Sequence, residues 1–281
     1  MDGMPASLLV ALLAVTTPAR AAVSPLTLVA CAPGYPGNTA EAQPSMDALA
    51  GAVAEAAGWR EHDIAATYQE TEQGGLERLS RPGATVALVP LPFLAQHGAS
   101  SRLSPRLQVE EKGAGLSQVW SLVAKRGRVA SPAALGRFTV MSTAGYAPAF
   151  VRGAVRGWGE IPPGARIVQS SQVLSGLRRA AAGDDVALLL DGAQTAALPT
   201  LPFASDLEVV ARSRPLPVAF VCEVDERLAP TRWKALEDAL LKLSDTPAGA
   251  AALEGIRMVR FVRPDPAALA VARSFEKTDG R

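Results

Sequence analysis

The 281-residue chain is 48% hydrophobic and nearly neutral, with 28 Lys+Arg against 27 Asp+Glu. That balance leaves no basic footprint for nucleic acid and no charge run for an acidic membrane surface. Two cysteines and two histidines leave almost no material for a metal centre, so no metal or other cofactor is expected. The length suits one large or two medium domains, each able to bury a core.

In chain order, residues 7–15 (SLLVALLAV) form an apolar core of signal-peptide length, far short of the roughly 20 residues that span a bilayer. Ala19-Arg20-Ala21 offers a small-x-small cleavage site. Residues 1–22 therefore read as an export signal cut after Ala21 or Ala22, although Asp2 stands where a positive charge is usual. Leu28-Val29-Ala30-Cys31 fits a lipoprotein-type box, a second option that would anchor the chain at Cys31 and discard the next strand. Export would permit a Cys31–Cys222 disulfide, the alternative being two separate buried thiols.

Residues 26–31 (LTLVAC) are a continuous apolar run, the pattern of a strand buried on both faces. A turn-rich segment, 32–39, leads to a helix with Met46, Leu49, Ala50, Val53 and Ala57 on one face. A strand at 63–68, a short helix at 75–79 and a strand at 84–89 continue an alternation that signals a parallel sheet with covering helices. Ligands of such sheets lie beyond the carboxyl ends of the strands, which puts the 34–39 and 90–93 loops on one rim. Tyr35, Asn38, Thr39 and Pro92 are the candidate contacts there, with an ordinary turn as the competing account of Tyr35 and Asn38. Apolar stretches at 107–110 and 118–124, divided by a polar break at 112–115, connect the two halves.

The second half is arranged around residues 138–158: a strand at 138–141, the turn Ser142-Thr143-Ala144-Gly145-Tyr146, and a helix over 147–158. Phe150, Val151, Ala154, Val155 and Trp158 fall on one helical face; Trp120 and Trp158 are read as core. Ser142 and Thr143 stand at the N-cap, and Gly145 lets the backbone approach closely. Free amides and the helix dipole at such a tip favour a small anion. Strands at 165–168 and 185–190 flank a helix at 173–181 stopped by Gly183, and the second of them delivers Asp191 to its end. Asp191 is either a ligand contact or the N-cap of the turn at 192–195. Strands at 207–210 and 217–221, a helix on Trp233, Leu236, Leu240 and Leu243, a helix at 248–253 and a strand at 258–262 close the chain.

This order of parts resembles the solute-binding proteins of ABC importers, most nearly the phosphate/phosphite/phosphonate-binding branch. The resemblance is carried by the opening strand at 26–32, by residues 118–125 followed by 134–140, by the turn at 142–146, and by 185–191, 213–220 and 239–249. It covers nearly all of the chain beyond the signal. It implies an α/β, two-lobe type II periplasmic-binding-protein fold, each lobe a mainly parallel sheet flanked by helices, joined by two crossover hinge strands. Residues 23–117 and 215–281 would form a discontinuous lobe one and 118–214 lobe two, hinged near 115–124 and 208–218. It further implies a small anion in the cleft, gripped by Ser142, Thr143 and Tyr146, with Asp191 accepting a hydrogen bond from a protonated ligand oxygen. The family's tyrosine after the third strand is replaced here by Leu91-Pro92-Phe93. The implied setting is a periplasmic monomer that serves an ABC permease or another membrane receptor, either in transport or as a sensing or accessory protein.

A hydrolase is the rival class. It needs a nucleophile with an oriented base, yet no Gly-x-Ser-x-Gly occurs, and the only histidines, His62 and His97, read as solvated. Cys31 ends a strand with no histidine evidently placed to activate it. An enzyme is not expected.

Overall fold

The computed structural model describes residues 25–35 and 37–276; the signal-like segment lies outside them. β1 (Leu26–Cys31), β2 (Ile64–Gln69) and β3 (Ala84–Pro90) alternate with α1 (Thr39–Ala56), α2 (Glu72–Leu79) and α3 (Leu91–His97). β4 (Leu103–Glu111) passes through β5 (Ser117–Gln118) to β6 (Ser121–Lys125). A second series follows: β7 (Thr139–Ser142), α4 (Pro148–Ala154), β8 (Arg166–Gln169), α5 (Val173–Ala182), β9 (Val186–Leu190), α6 (Gly192–Ala197) and β10 (Leu207–Arg212). The chain returns through β11 (Leu216–Pro217) to β12 (Ala219–Val224), then α7 (Pro230–Leu241), α8 (Pro247–Gly255), β13 (Met258–Val262) and α9 (Pro266–Glu276).

β1, β3, β9 and β12 are buried at every position, as largely apolar strands covered on both faces should be, with Glu223 of β12 their one charged residue. Two large sheets result, ordered β2-β1-β3-β12-β4-β13 and β8-β7-β9-β6-β10, beside a two-stranded ladder of β5 and β11. Each starts with three parallel strands in the order second, first, third, and each receives its next strand from the other half of the chain, antiparallel. The sheets are therefore mixed, with parallel pairing confined to those three strands, because each crossover strand enters against their direction. The crossovers are tied together: β5 pairs with β11, Trp120 N donates to Ser213 Oγ at 2.9 Å, and Ser213 N donates to Trp120 O at 2.8 Å.

One apolar core runs through both halves, from Val29 and Val89 through Phe93, Trp120, Val140 and Phe150 to Phe275. Separate clusters fill the outer layers, under α1 and α7 in the first half and under α5 in the second. α9, which has no counterpart among the sequence expectations, packs on α3, α4 and β11, so it touches both halves and the hinge. Its Phe275 ring lies 5.1 Å from Phe150, and a Cβ on Gly153 of α4 would come within 2.6 Å of that ring.

Two local expectations are corrected. The helix expected over 147–158 is limited to α4: Pro148 opens it, and beyond Ala154 the chain tightens into turns with Trp158 N donating to Val155 O. Gly153, Gly157 and Gly159 explain that early stop through their poor helix propensity. The expected loop at 90–93 is the start of α3, because proline fits a helix's first turn and Leu91 N is already engaged by Val218 O. Cys31 and Cys222 are both buried and form no disulfide, the second of the two alternatives the sequence left open. They lie on β1 and β12 with β3 between them, about 10 Å apart by strand spacing, too far to bridge. Burial pushes the Cys31 thiol up to about 12. Because β1 is interior to its sheet, cutting before Cys31 to attach a lipid would remove a central strand.

Candidate functional site

The carboxyl ends of the parallel strands deliver two rims that meet. Gly34, after β1, packs so closely on Thr143, after β7, that a Cβ on Gly34 would stand 2.7 Å from Thr143 O. Around this contact lie Tyr35, Tyr68, Glu70, Glu72 and Glu111 from the first half, with Thr143, Tyr146 and Asp191 from the second. Gln118 of the hinge strand β5 joins them, its Oε1 accepting from Gly192 N at 3.0 Å.

The expected residues fall into two groups. Tyr35, Thr143, Tyr146 and Asp191 face the junction; the others serve local structure. Ser142 donates to Leu189 O at 2.8 Å and accepts from Ala144 N at 3.2 Å, so its hydroxyl binds β7 to β9 and closes its own turn. Neither Ser142 nor Thr143 caps α4; Ala147 holds that position without a side-chain bond. A Cβ on Gly145 would lie 2.3 Å from Val168 C and O, so the close approach this glycine allows is to β8. Asn38 caps α1 by accepting from Glu41 N at 2.9 Å, and Thr39 N donates to Glu70 Oε2 at 2.9 Å. Pro92 is buried in α3. Asp191 does cap α6: its Oδ1 accepts from Gln194 N at 2.8 Å, and Gln194 Oε1 answers by accepting from Asp191 N at 3.2 Å.

The electrostatics of the junction are acidic. Burial is the first cause of every shift there, since it disfavours the charged form. It pushes the Tyr35 phenol up, and Asp191, Glu111 and Tyr68 add to the effect. Tyr146 rises in the same way, with Tyr35, Glu72 and Cys31 beside it. Asp191 is raised by burial against the opposing pull of the Gln194 and Ala193 amides. Glu111 is raised by burial and then by Asp191, with Arg257 acting the other way. His97 is not solvated as expected: its Nε2 lies 2.6 Å from Glu72 Oε1, and its ring is 5.0 Å from Phe93, itself 6.5 Å from Tyr146. His62 is exposed. Among the described residues there is no cluster able to hold a metal ion, and no helix long and apolar enough to cross a membrane.

Glu70, Glu72, Glu111, Tyr68 and Gln118 did not emerge from the sequence. Glu70 carried a usable signal: like Asp191, it is an acidic residue immediately beyond a parallel strand. An open groove of about 360 Å³ lies elsewhere, between Arg102, Leu103 and Asp225, at the opposite ends of the strands. The Arg102–Asp225 ion pair, 2.6 Å long, spans it, and it holds none of the junction's residues.

No protein-family model and no curated protein matches the chain. Solved structures do. A Xanthomonas citri protein, XAC2383 bound to chloride, superposes with a TM-score of 0.70 at 15% identity, covering 90% of this chain and 96% of that one. A binding-protein component of an ABC phosphonate transporter from Pseudomonas aeruginosa, PA3383, gives 0.62 at 12% identity, covering 90% and 86%. PhnD1 of Prochlorococcus marinus in complex with methylphosphonate gives 0.56 at 11% identity, covering 90% and 99%. The chain thus has the two-lobe type II periplasmic-binding-protein fold. Within that fold it is similar to phosphonate-type substrate-binding proteins.

Proposed function

We propose that the protein is an exported solute-binding protein that captures a small solute between its lobes and presents the closed form to an ABC permease. The observation that supports this best is the meeting of two strand-end rims at Gly34 and Thr143, among polar side chains still able to bond a guest. Thr143 Oγ1 is buried without a partner, and the Tyr35 and Tyr146 hydroxyls take no hydrogen bond among the described residues. A buried hydroxyl such as that of Thr143 is costly to leave unmet, and a bound solute would satisfy it. Movement about β5 and β11 would trap the solute, and the membrane partner would select the closed form by its higher affinity for it.

An oxyanion such as phosphate, phosphite or a phosphonate is the ligand that the family resemblance implies, and the phosphonate-linked neighbours lend it support. The carboxylates of Glu70 and Asp191, already seated at two helix ends, weigh against it. Capture itself is tested by thermal-shift and small-angle scattering of the purified mature protein against anions, amines, amino acids and sugars. One class should stabilise the fold, by about 2.7 kcal/mol at 100 times its Kd, and lower the radius of gyration. No stabilisation by any class would remove the proposal.

A further inference from the structure

We infer that the cleft receives a small solute bearing a positively charged nitrogen, an ammonium or amidinium group, and turns oxyanions away. The inference rests on solute capture in the cleft and names the class of solute.

Where an anion would be seated, the chain's own groups already sit. α1 is the long helix behind the first rim, and its first amide, Thr39 N, is taken by Glu70 Oε2, while Glu41 N is taken by Asn38. In the second lobe Asp191 holds Gln194 N, Gln118 holds Gly192 N, and Ser142 commits its proton to Leu189 O. An arriving oxyanion would have to displace a carboxylate or stand beside one in a poorly solvated place, where like charges repel most strongly.

What remains open is accepting capacity. Glu111 ends β4 next to the hinge, and its carboxylate takes no hydrogen bond among the described residues; Arg257 is the cation set against it and Asp191 the anion. Thr143 is 5% exposed, its Oγ1 has no partner, and its Cβ would lie 3.2 Å from a Cβ on Gly34, the residue beside Tyr35. That orphaned hydroxyl points to an absent partner independently of the carboxylates. Tyr35 and Tyr146 add phenol oxygens and aromatic faces, which attract a cation. Burial raises both phenols and both carboxyls, with acidic neighbours adding to the effect at Tyr35, Tyr146 and Glu111, and this acidic junction fits a guest that brings its own positive charge.

The test is calorimetry with thermal-shift on the mature chain at fixed ionic strength, using guanidinium, putrescine, agmatine and choline in one panel. Inorganic phosphate, phosphite and methylphosphonate form the other. A member of the cation panel should stabilise the wild type, with Glu111→Gln weakening that binding about 10- to 150-fold and Asp191→Asn, which keeps a capping oxygen, weakening it too. Glu254→Gln, at a surface ion pair with Lys112, should leave affinity unchanged. Stabilisation of the wild type by an anion overturns the inference and leaves solute capture standing, as does cation binding indifferent to both cleft variants. No response to either panel also overturns the inference, and solute capture falls with it only if amino acids and sugars fail to stabilise the protein as well.

Discussion

Gly34→Ala tests whether the two rims close on each other, without touching any charged group. The new Cβ would lie 2.7 Å from Thr143 O and 3.2 Å from Thr143 Cα, both backbone atoms of the other lobe, so no flexible side-chain end can swing aside. Overpacking of this kind costs about 1–3 kcal/mol. Because the clash exists only when the rims meet, that cost falls on the closed arrangement and shifts the balance about 5- to 150-fold towards open forms. A second cost, about 1–2 kcal/mol, comes from the left-handed backbone at φ +82°, and both forms bear it. Gly37→Ala isolates this second cost, for it has φ +104° and nothing within 4 Å of its added Cβ. Small-angle scattering should therefore give a larger radius of gyration for Gly34→Ala than for Gly37→Ala, and solute affinity should fall for the former alone. If the two variants match in size and affinity, the rims do not gate the cleft and the reasoning is wrong.

Gly145→Ala should lower stability by about 3 kcal/mol or more, since its Cβ meets the β8 backbone at 2.3 Å; an unchanged urea midpoint would contradict that packing. Phe275→Ala removes a ring 6% exposed that joins α9 to Phe150, and should cost about 3–5 kcal/mol, read as a drop in Tm; a drop within error would mean that α9 is dispensable. Thiol titration should find two slow, buried thiols in the native protein and two fast ones after unfolding, with equal gel mobility with and without reductant; a mobility difference would reveal a disulfide. For pH, Asp191 and Glu111 have folded pKa values raised above the ordinary carboxylate value of about 4, so between those values the folded state binds more protons than the unfolded. Apo stability should then rise as pH falls through that window, with Arg257 the cation facing Glu111, while affinity for an amine declines as the carboxyls lose charge. Surface carboxylates held low by ion pairs, Asp63 and Asp225, act oppositely but only below about pH 4. A Tm that falls monotonically from neutral pH would contradict the assignment.

How far the molecule can be read from its sequence depends on whether a feature is local. The strands β1, β3 and β9 are continuous apolar runs, and their burial follows from composition alone. α3 was hidden because Pro90 and Pro92 look like loop residues, although a helix's first turn accepts proline. α9 was hidden because Ala272 and Phe275 are its only described buried positions, too few to mark a face before its neighbours are known. The site divides along the same line. Tyr35, Thr143, Tyr146 and Asp191 stand at strand ends and are visible as such, whereas Glu111 beside a polar break looks solvated until β5 and β11 fold it towards Asp191.

The same contrast bears on how ligand choice arises in this fold. Two lobes with the same strand order set two rims opposite each other whatever residues they carry, so the architecture supplies a cleft and leaves its charge undecided. The deciding residues are single positions just past the strands or at the hinge. Glu70 at the tip of α1, Asp191 at the tip of α6 and Glu111 at the end of β4 make the strand-end rims rich in acceptors. None of them is needed to build the sheets. At 11–15% identity, a neighbour's ligand is thus a weak guide to this cleft, and its own carboxylates are the better one.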